Sequence, residues 1–284
     1  MCVALSMVAD ISMSTAEFLI RATRVTKEYV QQRPLSRRKF RVPALDGVTL
    51  EIRAGSTFAL VGESGSGKST LGLCLAGLEK PTSGAICFDQ QDLLKLKAPD
   101  LARVRGQIQL IFQDTASALN PRFSAEEIVT EPMRIRSSLS GAERRPWAEQ
   151  LMEQVGLPPG WLSRNPHQFS GGQRQRLAIA RALCVQPRLL ILDEAFAGLD
   201  LSVQAQIVRL LQELQSTHGL TYLFISHDLS LMARIVDEIA ILHQGRIVEQ
   251  GNPSDLFAKP RHPVTRALQD AIPGRRGGLS VGST

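Results

Sequence analysis

The feature that most constrains this chain is a stretch rich in glycine and serine at residues 62–70, which reads GESGSGKST. It fits the pattern G-x-x-x-x-G-K-[ST], and it lies between a strand-like apolar run at residues 57–61 and a helical pattern at residues 71–78. In such a strand–loop–helix unit the glycines let successive backbone N–H groups point at one anion, and the helix dipole adds positive potential. The sequence therefore predicts a phosphate-binding loop and, with it, nucleotide binding.

Two side chains of this loop have predicted roles of their own. Lys68 supplies a mobile cation for the outer phosphates, and the Ser69 hydroxyl can ligate Mg2+. A plain turn before a core helix is the alternative, but the complete pattern in the right context favours nucleotide binding. The predicted nucleotide-binding residues of the loop are Gly62, Glu63, Ser64, Gly65, Ser66, Gly67, Lys68, Ser69 and Thr70.

The composition bounds the class of protein. The chain has 284 residues, of which 43% are hydrophobic, enough for the core of one α/β unit. Its net charge of +6 is mild and dispersed, so a solvated surface or one near anionic lipid explains it as well as a nucleic acid does, and no nucleic-acid partner is expected. The four cysteines match no metal-binding spacing, and no apolar run is long enough to span a bilayer. We therefore expect a reduced, cytosolic setting.

Strand-like and helical patterns alternate along most of the chain. Strands are predicted at residues 18–29, 48–52, 57–61, 85–88, 108–112, 189–194, 221–225, 238–242 and 246–250. Helices are predicted at residues 173–184 and 202–215, and a helical insert at residues 125–166 with breaks at Gly141, Pro146 and the Pro158-Pro159-Gly160 turn. We therefore predict an α/β fold with a P-loop NTPase core, a mainly parallel sheet, an N-terminal antiparallel β subdomain and an inserted helical subdomain.

The predicted organisation has three parts. Residues 1–16 match no structural pattern and are expected to form a disordered tail. Residues 17–250 are predicted to form the nucleotide-binding domain, with the helical subdomain at about residues 115–168 and a polar, basic loop at residues 31–41. Residues 251–284 are predicted to be a C-terminal extension with a flexible, Gly-rich end.

Two adjacent carboxylates, Asp193 and Glu194, end a fully apolar strand pattern. A carboxylate at this place can hold Mg2+, and the next one can orient or activate an attacking water. Adjacent side chains on a strand point to opposite faces, so both can serve one site only if the strand ends there. The alternative is a helix cap or a surface pair, but beside a phosphate-binding loop the catalytic interpretation is favoured.

A second glycine-rich helix start lies far along the chain at Ser170, Gly171, Gly172 and Gln173. Its backbone N–H groups could approach a phosphate as those of the first loop do. A chain with two such helix starts could close one nucleotide between two copies. The alternative is a simple cap of the following helix by the Ser170 hydroxyl.

The order and spacing of these motifs resemble those of the ATP-binding cassette (ABC) ATPases over residues 18–250. The motifs that carry the resemblance are the phosphate-binding loop, Gln113, residues 170–173, Asp193-Glu194, Leu199-Asp200 and His227. The resemblance implies ATP and Mg2+ as cofactors, with Ser69, Gln113 and Asp193 at the metal.

The resemblance also assigns roles to single residues. It implies that Tyr29 stacks on adenine and that Gln113 contacts Mg2+ and the attacking water. It implies that Glu194 is the catalytic base and that His227 contacts the γ-phosphate. The segment 170–173 is implied to touch the γ-phosphate of a nucleotide held by the opposing subunit.

A narrower resemblance points to the dipeptide, oligopeptide and nickel importer branch of this family. It is carried by Phe112-Gln113-Asp114, by residues 117–122, by Glu131-Pro132 and by residues 262–268. It implies an ATPase subunit that powers peptide uptake, with nickel or metal-chelate uptake as the alternative. Two alternatives belong to other functional classes. One is a soluble ABC ATPase without a transport role, and the other is a kinase built on the same phosphate-binding loop.

The expected partners follow from the same resemblance. They are a second ATPase subunit, identical or different and arranged head to tail, two transmembrane permease subunits, and an extracytoplasmic solute-binding protein. The helical insert is expected to dock a permease, and the expected location is the cytoplasmic face of the inner membrane.

Overall fold

A computed structural model of the chain describes residues 17–32, 39–113, 118–136 and 140–272. The predicted tail at residues 1–16, the end of the C-terminal extension, the middle of the predicted 31–41 loop and residues 114–117 lie outside the described residues.

The elements alternate as the sequence pattern predicts. The strands are β1 (Phe18–Gln32), β2 (Lys39–Arg53), β3 (Thr57–Val61), β4 (Ser83–Phe88), β5 (Gln91–Asp92), β6 (Ile108–Ile111), β7 (Leu189–Asp193), β8 (Thr221–Ser226), β9 (Glu238–His243) and β10 (Arg246–Gly251). The helices are α1 (Lys68–Leu75), α2 (Ala98–Gln107), α3 (Ala125–Arg136), α4 (Gly141–Gln154), α5 (Gly171–Leu183), α6 (Leu201–His218), α7 (Leu229–Ile235), α8 (Pro253–Ala258) and α9 (Pro263–Asp270).

The main sheet has six strands in the order β10-β9-β3-β8-β7-β6. Its five strands from β9 to β6 pair in parallel, and β10 pairs antiparallel with β9 through a hairpin at Gln244 and Gly245. The prediction of a mainly parallel sheet is therefore confirmed. The second sheet is antiparallel, in the order β2-β1-β4-β5, which confirms the N-terminal antiparallel layer.

The inner strands β9, β3, β8 and β7 of the main sheet are buried on both faces, which explains their continuous apolar runs. Along β3, Ala59 and Val61 face one hydrophobic core while Phe58 and Leu60 face another. The first core lies under α5 and α6, and the second is shared with α1 and the antiparallel sheet. Burial on both faces fixes the strand register, because a slip by one residue would exchange the two faces.

Strands β1 and β2 extend further than the sequence predicts. The predicted loop at residues 31–41 is wrong at both ends, because Gln31 and Gln32 belong to β1 and Lys39–Arg41 belong to β2. The two strands pair from Phe18 opposite Arg53 as far as Gln32 opposite Lys39. At the end of β1, Gln31 and Gln32 carry no apolar alternation, whereas in β2 Phe40 and Val42 alternate with Lys39 and Arg41, a strand signal that the loop prediction did not use.

The helical insert is less broken than predicted. The break predicted at Gly141 is present, because α3 ends at Arg136 and α4 begins at Gly141, where Ser140 caps it with a capping box to Glu143. Pro146 lies inside α4, so the predicted break at Pro146 is wrong. A proline in the second turn removes one intrahelical hydrogen bond, but the cap and the buried residues Ala148, Leu151 and Met152 hold the helix.

The predicted C-terminal extension contains two helices, α8 and α9. Their apolar residues Leu256, Phe257, Val264 and Leu268 pack on the core beside the main sheet. In the part of the chain that the structure describes, no helix combines the length and apolar character needed to cross a membrane.

We predict that Gly84 is required for the pairing of β4 with β1. Its φ is 95°, and a Cβ at this position would lie 2.4 Å from the Arg24 carbonyl oxygen and 2.7 Å from Val25 Cα. Left-handed backbone costs a non-glycine residue about 1–2 kcal/mol, and overpacking costs about 1–3 kcal/mol more. Gly84→Ala should therefore lower the free energy of unfolding by about 3 kcal/mol in urea titrations.

The matched control is Gly55→Ala, because Gly55 has a φ of 72° but no atom within 4 Å of its added Cβ. Gly55→Ala should therefore lower the free energy of unfolding by only about 1 kcal/mol, the cost of a left-handed backbone conformation in a non-glycine residue. Equal losses in the two variants would show that the contact with β1 is unimportant.

Candidate functional site

The candidate site lies at the carboxyl edge of the main sheet. Because β3, β8 and β7 are parallel neighbours, the segments that follow them meet at one edge. A cavity of about 710 Å³ opens there. Its lining residues are Ala44, Glu63, Ser64, Gly65, Gly67, Lys68, Ser69, Thr70, Gln113, Glu194, His227 and Leu268.

The loop between β3 and α1 has the geometry of an anion site. Gly67 has a φ of 107°, and a Cβ there would lie 2.4 Å from the Ala44 carbonyl oxygen. Gly67 occupies the N-cap position of α1 without a side chain, so the first-turn N–H groups are left for an anion. On the other side of the loop, Gly245 N–H donates to the Ser66 carbonyl oxygen at 2.9 Å.

Lys68 is folded back over the loop. Its Nζ donates to the carbonyl oxygens of Gly62 at 2.7 Å and Glu63 at 2.9 Å. Burial lowers the pKa of Lys68, and the charges of Glu194 and Asp193 oppose this effect. The ammonium group is thus held where phosphate oxygens would compete with the two carbonyl groups for it.

Asp193 ends β7 as a buried carboxylate. Burial raises its pKa, a hydrogen bond from the Ser69 hydroxyl opposes the shift, and the charge of Glu194 adds to it. Its Oδ1 atom is shielded from solvent and has no hydrogen-bond partner among the described residues. A buried carboxylate oxygen without a partner, beside a hydroxyl, fits a divalent cation that prefers oxygen ligands.

Glu194 leaves the strand in a sharp turn. Its φ is 49°, a left-handed conformation that is unfavourable for a non-glycine residue, and its N–H donates to the Ile225 carbonyl oxygen at 2.9 Å. Its Oε2 lies 2.9 Å from His227 Nδ1. Because β7 ends at Asp193, Asp193 and Glu194 are not forced to opposite faces of the sheet. The negative charges of both carboxylates favour the protonated form of Lys68.

Several predicted site residues do not line the cavity. Gly62 and Ser66 belong to the loop, and Ser66 is buried beneath it. Tyr29 lies on β1 opposite Val42, where the Lys27 ammonium group is 5.0 Å from its ring centroid. Tyr29 is therefore outside the group of residues that the structure brings together around Lys68.

The second glycine-rich helix start also lies away from this cavity. Ser170 and Gly171 are exposed at the start of α5, and Ser170, Gly171, Gly172 and Gln173 are absent from the lining residues. The Ser170 hydroxyl accepts from Gln173 N–H at 3.3 Å, and Gln173 Oε1 accepts from Ser170 N–H at 2.9 Å. Within this chain the segment therefore acts as a capping box, the alternative that its sequence left open.

Two residues of the cavity were not predicted. Ala44 reaches it because β2 passes beside Gly67, and the sequence carries no signal for this contact. Leu268 reaches it from α9, in the segment whose sequence marks the importer branch.

The chain is similar to known proteins over most of its length. Residues 45–197 match the family model for the ABC transporter. The chain is 45% identical to the dipeptide transport ATP-binding protein DppF of Escherichia coli (strain K12) over 256 residues, covering 90% of this chain and 76% of that protein. It is 48% identical to a putative peptide import ATP-binding protein of Brucella abortus (strain 2308) over 236 residues, covering 83% and 71%.

Solved structures agree with the sequence comparison. A dimeric structure of the ATP-binding cassette MJ0796 in a post-hydrolysis state with ADP and Pi has a TM-score of 0.72 and 32% identity, covering 82% of this chain and 98% of that chain. The structure of cbiO1 from Clostridium perfringens, part of the ABC transporter complex cbiONQ, has a TM-score of 0.73 and 28% identity, covering 91% and 97%. With its phosphate-binding loop and carboxylates at the same sheet edge, the chain belongs to the ABC transporter family as one of its ATPase cassettes.

Proposed function

We propose that this ATPase energises the import of peptides. The observation that carries the choice of solute is the similarity, over 90% and 83% of the chain, to relatives named for dipeptide transport and peptide import. The cavity that gathers Lys68, Ser69, Gln113, Glu194 and His227 supports the ATPase part of the proposal.

The residues beside Lys68 fit a bound Mg2+. The Ser69 hydroxyl, the buried Asp193 carboxylate and the Gln113 side chain would hold it. When bound, the ion supplies charge neutralisation for the β- and γ-phosphates. Lys68 binds the outer phosphate oxygens, and the N–H groups of the loop bind the others.

Glu194 and His227 are proposed to act on the attacking water and the γ-phosphate. The Glu194 carboxylate accepts the proton of the water as general base, and the hydrogen bond to His227 fixes its orientation. His227 contacts the γ-phosphate with the remaining ring nitrogen. Tyr29 is proposed to stack on adenine as the nucleotide extends past Ala44 along β2.

A second subunit is proposed to complete the site, in a head-to-tail arrangement. The exposed start of α5, at Ser170–Gln173, does not line the cavity of its own chain. It would therefore reach the γ-phosphate held by the opposite subunit, which can be an identical or a different chain. Opening of this pair after hydrolysis would release the phosphates and reset the permeases.

The remaining proposed partners are two transmembrane permease subunits and an extracytoplasmic solute-binding protein. The ATPase itself is proposed to lie at the cytoplasmic face of the inner membrane. Its nucleotide-binding domain spans residues 17–250, with the helical subdomain at about residues 115–168.

A surface groove beside Gln113 supports docking of a permease to this helical subdomain. The groove residues include Leu110, Phe112, Leu119, Pro132 and Ala178. Phe112 is 48% exposed there, as expected for a side chain that a partner covers.

We predict that Asp193 lowers the stability of the nucleotide-free protein. Because burial raises its folded-state pKa, its favourable contribution to folding is present at low pH and is lost as the pH rises through that pKa. At pH 7.5, Asp193→Asn should raise the melting temperature without nucleotide by about 2–4 °C.

The same variant should lose most of the additional stabilisation that ATP with Mg2+ gives the wild type, because the cation loses its carboxylate. Thermal melts with Mg2+–ATP, and with ATP and EDTA, measure both effects. An unchanged gain from Mg2+ in Asp193→Asn would contradict the proposed metal site.

We predict that Lys68→Ala and Glu194→Gln separate ATP binding from hydrolysis. Lys68→Ala should weaken ATP binding and turnover together, because the cation contacts the phosphates before reaction. Glu194→Gln keeps the size and a hydrogen-bonding group beside His227 but removes the base, so hydrolysis should fall about 10²–10⁴-fold while ATP stays bound.

Size-exclusion chromatography with analysis of the bound nucleotide should then find Glu194→Gln accumulating as a closed ATP-bound dimer. Near wild-type turnover of Glu194→Gln would show that another group, Gln113 or His227, positions the water.

We predict that deleting the gene abolishes uptake of radiolabelled dipeptides by the host cell. A copy encoding the wild type should restore uptake, and a copy encoding Glu194→Gln at equal protein level should not. If dipeptide uptake survives the deletion and nickel uptake is lost, the solute is nickel and the peptide proposal is wrong.

A further inference from the structure

One wall of the candidate site comes from the C-terminal helix α9. Leu268, in the last turn of this helix, lines the cavity together with Lys68, Glu194 and His227. The family match ends at residue 197, far before α9. The family match therefore does not account for this wall.

Leu268 lies on the same face of the main sheet as His227. Helix α9 packs against α7, and Leu268 packs on the hydrophobic core that contains Leu229 and Met232 of α7. His227 lies in the two-residue connection between β8 and α7. The antiparallel sheet packs on the other core, at the opposite face of the main sheet. Leu268 therefore bounds the cavity on the side of His227, across from Ala44 of β2.

The imidazole ring of His227 has little support from its own segment. The side chain is 68% exposed, and its ring hydrogen bond among the described residues is the one between Nδ1 and Glu194 Oε2, at 2.9 Å. A single hydrogen bond leaves an exposed ring free to exchange among staggered rotamers. A second surface beside the ring would fix the direction in which its other nitrogen, Nε2, points.

The position of α9 depends on one carboxylate of β10. Glu249 Oε1 accepts from Arg261 N–H at 2.9 Å, and Glu249 Oε2 accepts from His262 N–H at 3.1 Å and from the Thr265 hydroxyl at 2.5 Å. Burial alone would raise the pKa of Glu249, but the hydrogen bonds and the charge of Arg261 outweigh it, so the pKa is lowered. The ionised carboxylate thus lies at the N-terminal end of α9, where the helix dipole favours it.

The last turn of α9 is held as well. Gln269 is buried, and its Nε2 donates to the Leu256 carbonyl oxygen of α8 at 2.7 Å. Thr265 is fully buried, one turn before Gln269. Leu268 is adjacent to Gln269 and itself packs on the core, so these contacts keep its side chain at the cavity.

The apolar character of Leu268 suits a wall beside a catalytic histidine. An isobutyl group neither donates nor accepts a hydrogen bond, so it competes neither with Glu194 for Nδ1 nor with a phosphate oxygen for Nε2. A polar side chain at this place would offer the ring an alternative partner. Leu268 can therefore restrict the ring by contact alone.

We propose that Leu268 is a positioning residue for His227, and that its side chain confines the imidazole ring to the orientation in which Nε2 faces the γ-phosphate. This inference rests on the proposed role of His227 and extends the site to a segment outside the family match. Leu268 acts through His227, and Glu249 acts one step further away, by fixing the start of α9.

A double-mutant cycle between Leu268 and His227 tests the inference in ATP hydrolysis by the full-length chain. Leu268→Ala should lower kcat about fivefold, because a misplaced catalytic group loses much of its effect, and should leave KM and the affinity for Mg2+–ADP unchanged. In the His227→Ala background the same change should have no further effect on kcat, because the ring on which Leu268 acts is absent.

A second measurement follows the ring itself, without hydrolysis. The chain has five histidines, so the NMR signal of His227 is assigned by its loss in His227→Ala. Carbon relaxation at the imidazole Cε1 atom then gives an order parameter for the ring, which should fall in Leu268→Ala because the ring gains motion.

Val264→Ala is the matched control, since Val264 lies on the same helix and packs on the core but does not line the cavity. It should lower the melting temperature and leave kcat and the order parameter of His227 at the wild-type values. Leu268→Met keeps the apolar volume and should restore most of kcat.

The role of Glu249 has a separate test at its hydroxyl partner. Thr265→Val removes the hydroxyl at nearly equal volume and should lower kcat in the same direction as Leu268→Ala, but by less. Thr265→Ser keeps the hydroxyl and should restore kcat. In the Leu268→Ala background Thr265→Val should have no further effect on kcat.

Three results would overturn the inference: wild-type kcat in Leu268→Ala, an equal loss in Val264→Ala, or independent losses when Leu268→Ala and His227→Ala are combined. Wild-type hydrolysis in His227→Ala would instead contradict the proposed role of His227. The order parameter then decides whether Leu268 confines the ring, and an unchanged value in Leu268→Ala would show that it does not.

Discussion

Backbone packed directly against backbone holds the phosphate-binding loop in shape. A Cβ at Gly62 would lie 2.2 Å from the Leu242 carbonyl oxygen, and a Cβ at Gly67 would lie 2.4 Å from that of Ala44. The loop is thus closed in by β9 on one side and β2 on the other. Asp46 N–H donates to the Gly245 carbonyl oxygen at 2.8 Å and links these two walls. The antiparallel sheet and the β9–β10 hairpin therefore support an anion site to which, among the described residues that line it, neither contributes a charged group.

The charges at the sheet edge depend on the same arrangement. Burial lowers the pKa of Lys68 and raises that of Asp193, so it disfavours the charged form of each, and the charge of Glu194 favours the protonated form of both. The left-handed turn at Glu194 brings the second carboxylate to the cavity and to His227. A nucleotide with a divalent cation would satisfy the orphaned oxygen of Asp193 and give Lys68 a better partner than two carbonyl groups.

Much of the fold could be predicted from the sequence because the main sheet is buried on both faces. Such strands need continuous apolar runs, and those runs identified β3, β7 and β8 within one residue at each end. The helical spacing of Val203, Ile207, Leu210, Leu211 and Leu214 is likewise visible in the sequence, and these residues form the face of α6 that packs on the core. The prediction was wrong at the outer ends of β1 and β2, where backbone pairing extends both strands into a segment predicted as a loop, and at Pro146 of α4, where a capping box and buried residues hold the helix.

The sequence by itself determined the phosphate-binding loop, the two carboxylates and the histidine, because each follows a strand and local spacing places it at a strand end. Only the tertiary structure decided that Ser170–Gln173 and Tyr29 lie apart from this cavity while Leu268 and Ala44 line it. The reason is physical: a motif fixes local backbone geometry, whereas a cavity wall depends on contacts between distant segments. Glu249 holding α9 beside a loop almost two hundred residues earlier in the chain is a contact of this kind, and no local pattern encodes it.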